Sequence, residues 1–213
     1  MSSLPDVRPA IRVFGVDDHA LLRDGIAAAI DSQPDMTMVA QASNGREAIR
    51  LFREARPDIT LMDLRLPDIG GIDALIAIRD ECPDARVVIL TMFAGDVEIQ
   101  RALAAGARGY VLKSTPLQEL AEAIRHVHAG KRHIPPEVAA QLAEHAGDEA
   151  LTERERLVLR HAAEGKKNRG IAAMLFISEE TVKVHMKNIF EKLSAGDRTE
   201  AVAIAARRGI IRL

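Results

Sequence analysis

A chain of 213 residues with 47% hydrophobic and 28% charged side chains has the length for two domains and the composition of folded protein. The single cysteine, Cys82, excludes an internal disulfide, and no apolar run reaches the roughly 18 residues of a membrane span. The start MSSLPDVRPA carries no apolar targeting segment, so a cytoplasmic protein without a membrane anchor is expected. The net charge of -2 hides an asymmetry: 13 of the 29 Lys and Arg but only 8 of the 31 Asp and Glu fall from residue 151 onward. An acidic body followed by a basic piece suits two tasks, the second on a polyanion.

In chain order, the first part alternates short apolar runs with amphipathic ones. IRVFGVDD (11–18) reads as a buried strand before the helical HALLRDGIAAAIDS. MTMVAQAS (36–43) leads into NGREAIRLFREA, opened by Asn44 as a helix cap. DITLMDL passes through a Pro/Gly loop into IDALIAIRDEC, ARVVILTM precedes DVEIQRALAAG, and ARGYVLKS precedes PLQELAEAIRHVHAG. Five strand–helix units in series predict a doubly wound α/β fold with a parallel five-stranded sheet, and Gly45, Gly106 and Gly130 fall at helix entries or exits. IPPEVAAQLAEHAGDEA reads as a linker with one helix of its own. From LTERER onward no strand pattern occurs, and four short helices are predicted.

Ligands of a doubly wound sheet bind at the carboxyl ends of its strands. Asp17 and Asp18 follow the first strand, Asp63 the third, Thr91 the fourth and Lys113 the fifth. Each has an ordinary use as cap, turn or strand residue. Together on one rim, three carboxylates call for a cation, and their hard oxygens favour Mg²⁺. A lysine and a hydroxyl beside them suit a phosphoryl group.

VDDH, LMDLRLPDIGG, ILTMF and GYVLKS resemble the receiver domain of two-component response regulators, a flavodoxin-like fold, over about residues 8–130. The resemblance implies that Asp63 accepts a phosphoryl group from a sensor histidine kinase. It implies that Asp17, Asp18, Asp63 and the backbone carbonyl of Arg65 hold Mg²⁺, that Lys113 and Thr91 contact phosphoryl oxygens, and that Tyr110 is an aromatic switch coupled to Thr91. Ser114 and Thr115 separate Lys113 from Pro116, which argues against a cis proline after the lysine. Phosphatases of the haloacid dehalogenase type carry a second carboxylate two residues beyond the nucleophile. Arg65 stands there, so a stoichiometric acceptor is expected and not a turnover enzyme.

In SEETVKVHMKNIFEKL, Val182, Met186, Ile189 and Leu193 form an apolar stripe, Ser178 is a cap, and Lys183, Val184 and Lys187 lie on the opposite face. With NRGIAAMLFI before it, the segment suggests helix-turn-helix geometry. Residues 151–213 resemble the LuxR-type DNA-binding domain, and the whole chain a NarL/FixJ-type response regulator. The resemblance implies that Lys183, Val184 and Lys187 approach the major groove and that Thr181, His185 and Lys167 contact phosphates. It also implies that Ala201, Val202 and Ala205 of the last helix form a dimer contact. Gly170, where relatives carry an acid, is expected to start its helix late or loosen it, and Glu180 to trim affinity for DNA.

The expected organisation is a receiver over 1–130, a linker over 131–150 and a small all-α DNA-binding domain over 151–213. Phosphorylation is expected to control homodimerisation and binding to double-stranded DNA. The rival reading is a receiver that works through protein contact or without phosphorylation, its basic module vestigial.

Overall fold

The structure, a computed structural model, describes residues 9–92 and 95–211. The readings of MSSLPDVR and of Phe93 in ILTMF lie outside the described residues. The chain divides into two compact units, the first of residues up to 92 and 101–136, the second of residues 95–100 and 137–211. Each is described by itself.

The α/β part of the chain runs β1 (Ile11–Val16), α1 (Ala20–Asp31), β2 (Met36–Ala42), α2 (Gly45–Ala55), β3 (Ile59–Met62), α3 (Gly71–Glu81), β4 (Val87–Thr91), α4 (Asp96–Ala104), β5 (Gly109–Leu112) and α5 (Leu117–His128), with residues 96–100 of α4 grouped in the second unit. The five strands pair in the order β2-β1-β3-β4-β5, every pair parallel. Parallel neighbours need crossovers, which is why helices alternate with strands along the chain. All residues of β3 and β4 are buried, the continuous apolar pattern of strands covered on both faces. On one face Val13, Ile59, Leu61, Val88 and Val111 pack with Ile26 and Ile30 of α1 and Leu120, Ile124 and Val127 of α5. Each such aliphatic side chain contributes about 2 kcal/mol on burial.

Helix ends follow their sequence signals. Asn44 accepts the amide of Glu47 at 2.9 Å, and the Glu47 carboxylate returns to the amide of Ser43 at 2.8 Å. Gly106 and Gly130 take positive φ, 96° and 84°, just past α4 and α5, where a side chain would be strained. Among the described residues no peptide bond is cis, the loop after Lys113 included.

A short helix in the connecting segment, α6 (Pro136–Glu144), precedes α7 (Glu153–Ala163), α8 (Asn168–Leu175), α9 (Glu179–Leu193) and α10 (Arg198–Arg207). The core of α7 to α10 joins Val158, Leu159, Ile171, Val182, Met186, Ile189, Leu193, Ala201 and Ala205. Thr152 and Glu155 form a reciprocal capping box on α7, and Ser178 accepts the amide of Thr181 at 3.0 Å to cap α9.

Two expectations need correction. Helix α8 begins at Asn168, ahead of Gly170, so the glycine does not delay it. Gly170 stands in the first turn with its amide on the carbonyl of Lys167 at 2.8 Å, and Ile171 and Ala172 anchor the helix in the core. Ala201 and Ala205 are fully buried inside their own module. They fill the core beneath α10 and are not available for a dimer contact; Val202 alone of the three is partly exposed.

Candidate acidic site and nucleic-acid interface

The sheet order reverses beside β1, which puts the crevice of a doubly wound sheet at the carboxyl ends of β1 and β3. Asp17 and Asp18 directly follow β1, Asp63 directly follows β3, Thr91 ends β4 and Lys113 directly follows β5. The amide of Asp63 donates to the carbonyl of Val16 at 2.9 Å, and that of Lys113 to the carbonyl of Thr91 at 2.8 Å, so the strand ends are pinned side by side.

The run of small and turn residues after Asp63 has a steric purpose. A Cβ on Gly71 would lie 1.9 Å from the carbonyl oxygen of Asp63, so α3 can start against the acidic residue only if Gly71 has no side chain. Asp68 fixes the far side of the same loop. Its two carboxylate oxygens accept the amides of Gly45 and Arg46, at 2.7 and 2.9 Å, at the start of α2.

Lys113 Nζ lies 2.6 Å from Asp17 Oδ2 and 2.7 Å from Asp63 Oδ2, with all three side chains almost fully buried. Burial pushes the Asp63 carboxyl above its ordinary value, against the pull of the Lys113 ammonium and the amide of Arg65. For Lys113 burial acts downward, but the hydrogen bonds to Asp17 and Asp63 outweigh it and hold the ammonium above the usual lysine range.

Ligand atoms of Asp17, Asp18, His19 and Asp63 converge within 4.8 Å of one another. Three carboxylates against one ammonium leave negative charge to be balanced, and a donor set dominated by hard oxygens fits Mg²⁺. His19 is the member that sequence reasoning missed. Its exposed ring lies 2.7 Å from Asp18 Oδ1, and its place directly after the acid pair was the available signal. The backbone amide of Arg65 donates to Asp63 Oδ1 at 3.2 Å. Thr91 is buried at the rim, and Tyr110, opposite Ile89 in the β4–β5 ladder, is fully buried with 0% exposure.

In the second unit Lys183, Val184 and Lys187 are exposed on α9, opposite the buried Val182, Met186, Ile189 and Leu193. Lys183 pairs with Glu180 at 3.0 Å and Lys187 with Glu191 at 3.7 Å. The Thr181 hydroxyl lies 2.7 Å from that of Ser178, His185 is partly buried, and Lys167 is exposed at the cap of α8. Phe176, 94% exposed in the turn between α8 and α9 with φ of 54°, has no signal in the sequence pattern.

A parallel sheet with acids and a lysine on its strand ends, joined to a four-helix module with a basic helix face, defines a receiver with a helix-turn-helix output. Residues 13–125 match the response regulator receiver domain, and residues 149–205 match the luxR family of bacterial regulatory proteins. The chain is 39% identical over 209 residues to the transcriptional regulatory protein LiaR of Bacillus subtilis, covering 94% of this chain and 99% of that protein. It is similar to the crystal structure of the response regulator ChrA of a heme-sensing two-component system, with 35% identity, a TM-score of 0.58 and coverage of 96% and 100%. RcsB dimers bound to DNA share the fold at 23% identity and a TM-score of 0.70, covering 93% of this chain and 98% of that one.

The chain belongs to the two-component response regulators that couple a receiver domain to a LuxR-type helix-turn-helix and regulate transcription. No helix among the described residues is long and apolar enough to cross a membrane.

Proposed function

We propose that Asp63 is the phosphoacceptor of this regulator and that its phosphorylation by a sensor histidine kinase controls homodimerisation and sequence-specific binding to duplex DNA. The observation that carries the reading is the Lys113 ammonium, held between Asp63 and Asp17 at the strand ends. Ionised Asp63 attacks the phosphorus in line, an oxygen–phosphorus bond forms, and the bond to the kinase imidazole breaks. Lys113 leaves the carboxylates for a phosphoryl oxygen, and the Thr91 hydroxyl binds another. Asp17, Asp18, Asp63 and the backbone carbonyl of Arg65 would hold Mg²⁺, which supplies charge neutralisation to the transferring group. Tyr110 follows Thr91 as the switch.

No residue in the acidic site supplies a second carboxylate two positions beyond Asp63, which supports stoichiometric acceptance over enzymatic turnover. The output surface is Lys183, Val184 and Lys187 for the bases, with Thr181, His185 and Lys167 for phosphates. The organisation follows: a receiver to about residue 130, a linker to 150, and the DNA-binding module from 151. A cytoplasmic location fits a partner that is DNA.

Selection of duplexes from a random pool tests the output. The phosphorylated chain is expected to enrich a paired motif, and Lys183→Ala with Lys187→Ala to abolish the enrichment. A pool left unenriched by the phosphorylated chain, with no dependence of binding on salt, contradicts the reading.

A further inference from the structure

Arg198 opens α10, and the sequence fixes that start. Asp197 accepts the amide of Glu200 at 2.9 Å, and the Glu200 carboxylate accepts the amide of Gly196 at 2.7 Å. From this position the guanidinium donates to the carbonyl of Ala162 at 3.0 Å, to the carbonyl of Lys166, and to Oδ1 of Asn168 at 3.4 Å. One side chain therefore ties α10 to the end of α7, to the loop after it and to the first residue of α8.

The loop is already shaped by its backbone. Gly165 has φ of 79°, its amide reaches the carbonyl of Ala162 at 3.0 Å, and the amide of Lys166 reaches that of His161 at 3.2 Å. The Lys166 ammonium is taken up by Glu164 and the ring of His161. Lys167 is exposed, and no ion pair engages it among the described residues. It is the cation this loop leaves for a partner.

Arg198 is costly to keep. Burial lowers its pKa, and among the described residues no carboxylate pairs with it. Its compensation is the negative end of α7 and the amide oxygen of Asn168, reached by the planar fork that a lysine lacks. Arg198 and Asn168 also line one cleft with Lys183, Met186, Lys187 and Phe190, so this anchor stands beside the basic face of α9.

We propose that Arg198 is a positioning residue for the DNA backbone contact: it holds the 165–168 loop so that Lys167 meets a phosphate flanking the groove that α9 enters. The proposal rests on the reading of this module as a binder of duplex DNA.

The test is a double-mutant cycle on the full chain, with random-sequence duplex DNA as probe and salt dependence as readout. Lys167→Met is expected to reduce the slope of log K against log salt by about 0.9, the value of one phosphate contact. Arg198→Met is expected to reduce it by the same amount, and the double variant no further. Arg198→Lys, which keeps the charge but loses the fork, is expected to behave as Arg198→Met. A wild-type slope in Arg198→Met or in Arg198→Lys overturns the proposal, as does a double variant that loses the sum of the two. If Arg198→Met does not fold by circular dichroism, the cycle of Arg198→Lys with Lys167→Met decides by the same criteria. A wild-type chain whose binding is insensitive to salt refutes the underlying DNA reading, whereas altered variants on a binding wild type address Arg198 alone.

Discussion

The Nζ atom of Lys113 stands 2.7 Å from Oδ2 of Asp63, fifty residues away in sequence, and each is almost fully removed from solvent. The pair exists because β3 and β5 end at the same edge of the sheet, and Asp17, directly after β1, joins it through the same ammonium. Removing the cation leaves two buried carboxylates facing each other. Lys113→Met is expected to destabilise the protein by about 3 kcal/mol in EDTA, the scale for breaking a buried pair from one side. Mg²⁺ is expected to restore part of that loss in urea unfolding, because it compensates the same carboxylates. Equal stability of variant and wild type in EDTA would show that the ammonium is not what balances the site.

Gly71→Ala probes the contact between loop and acid without touching a charge. A methyl group would start 1.9 Å from the Asp63 carbonyl oxygen, closer than any relaxed contact, so α3 or the Asp63 backbone must move. A loss of about 3 kcal/mol is expected, at the upper end for overpacking, and urea denaturation measures it. An unchanged midpoint would contradict the packing described here.

The capping box of α7 makes a prediction about pH. Burial acts to raise the Glu155 pKa, but the amide of Thr152 at 2.8 Å and the Lys192 ammonium at 3.0 Å prevail and hold it below 4.5. A carboxyl depressed on folding contributes stability that is present above its unfolded value and lost as pH falls through its folded one. Glu155→Gln should therefore cost about 1 kcal/mol near neutral pH, and the difference from wild type should close as the pH drops below 4.5. Thermal unfolding across that range gives the answer; a gap that persists in acid would mean that charge is not the source.

Glu180 pairs with Lys183 at 3.0 Å, so on the proposed reading of α9 as a DNA-binding helix it would compete with DNA for that ammonium. Glu180→Gln is expected to raise affinity for duplex DNA a few-fold at low salt, with the gain shrinking as salt screens the pair. Reduced affinity would instead make Glu180 a contributor to binding.

The sequence made the rim of acids legible because strands end where apolar runs end, and one parallel sheet aligns those ends. Asp17, Asp18, Asp63 and Lys113 followed from that rule alone. Asp68 did not, because its partners are amides of another helix 22 and 23 residues away, and no local pattern records such a bond. His19 needed the fold of one loop to bring its ring against the acids. The expectation for Gly170 rests on helix propensity, which applies to helix interiors; in a first turn that starts at Asn168 the glycine does not delay the helix. The stripe of α9 was legible from its period, whereas Ala201 and Ala205 were assigned to an interface although they fill the core beneath α10. Small apolar residues on a helix serve either place, and only packing separates the two.

Intact mass after incubation with Mg²⁺ and a small phosphodonor tests the central claim most directly. The account predicts the mass of one phosphoryl group on the wild type, none on Asp63→Asn, and none on the wild type when EDTA is present. A phosphoryl group of the same stoichiometry on Asp63→Asn would contradict the assignment of Asp63 as the acceptor.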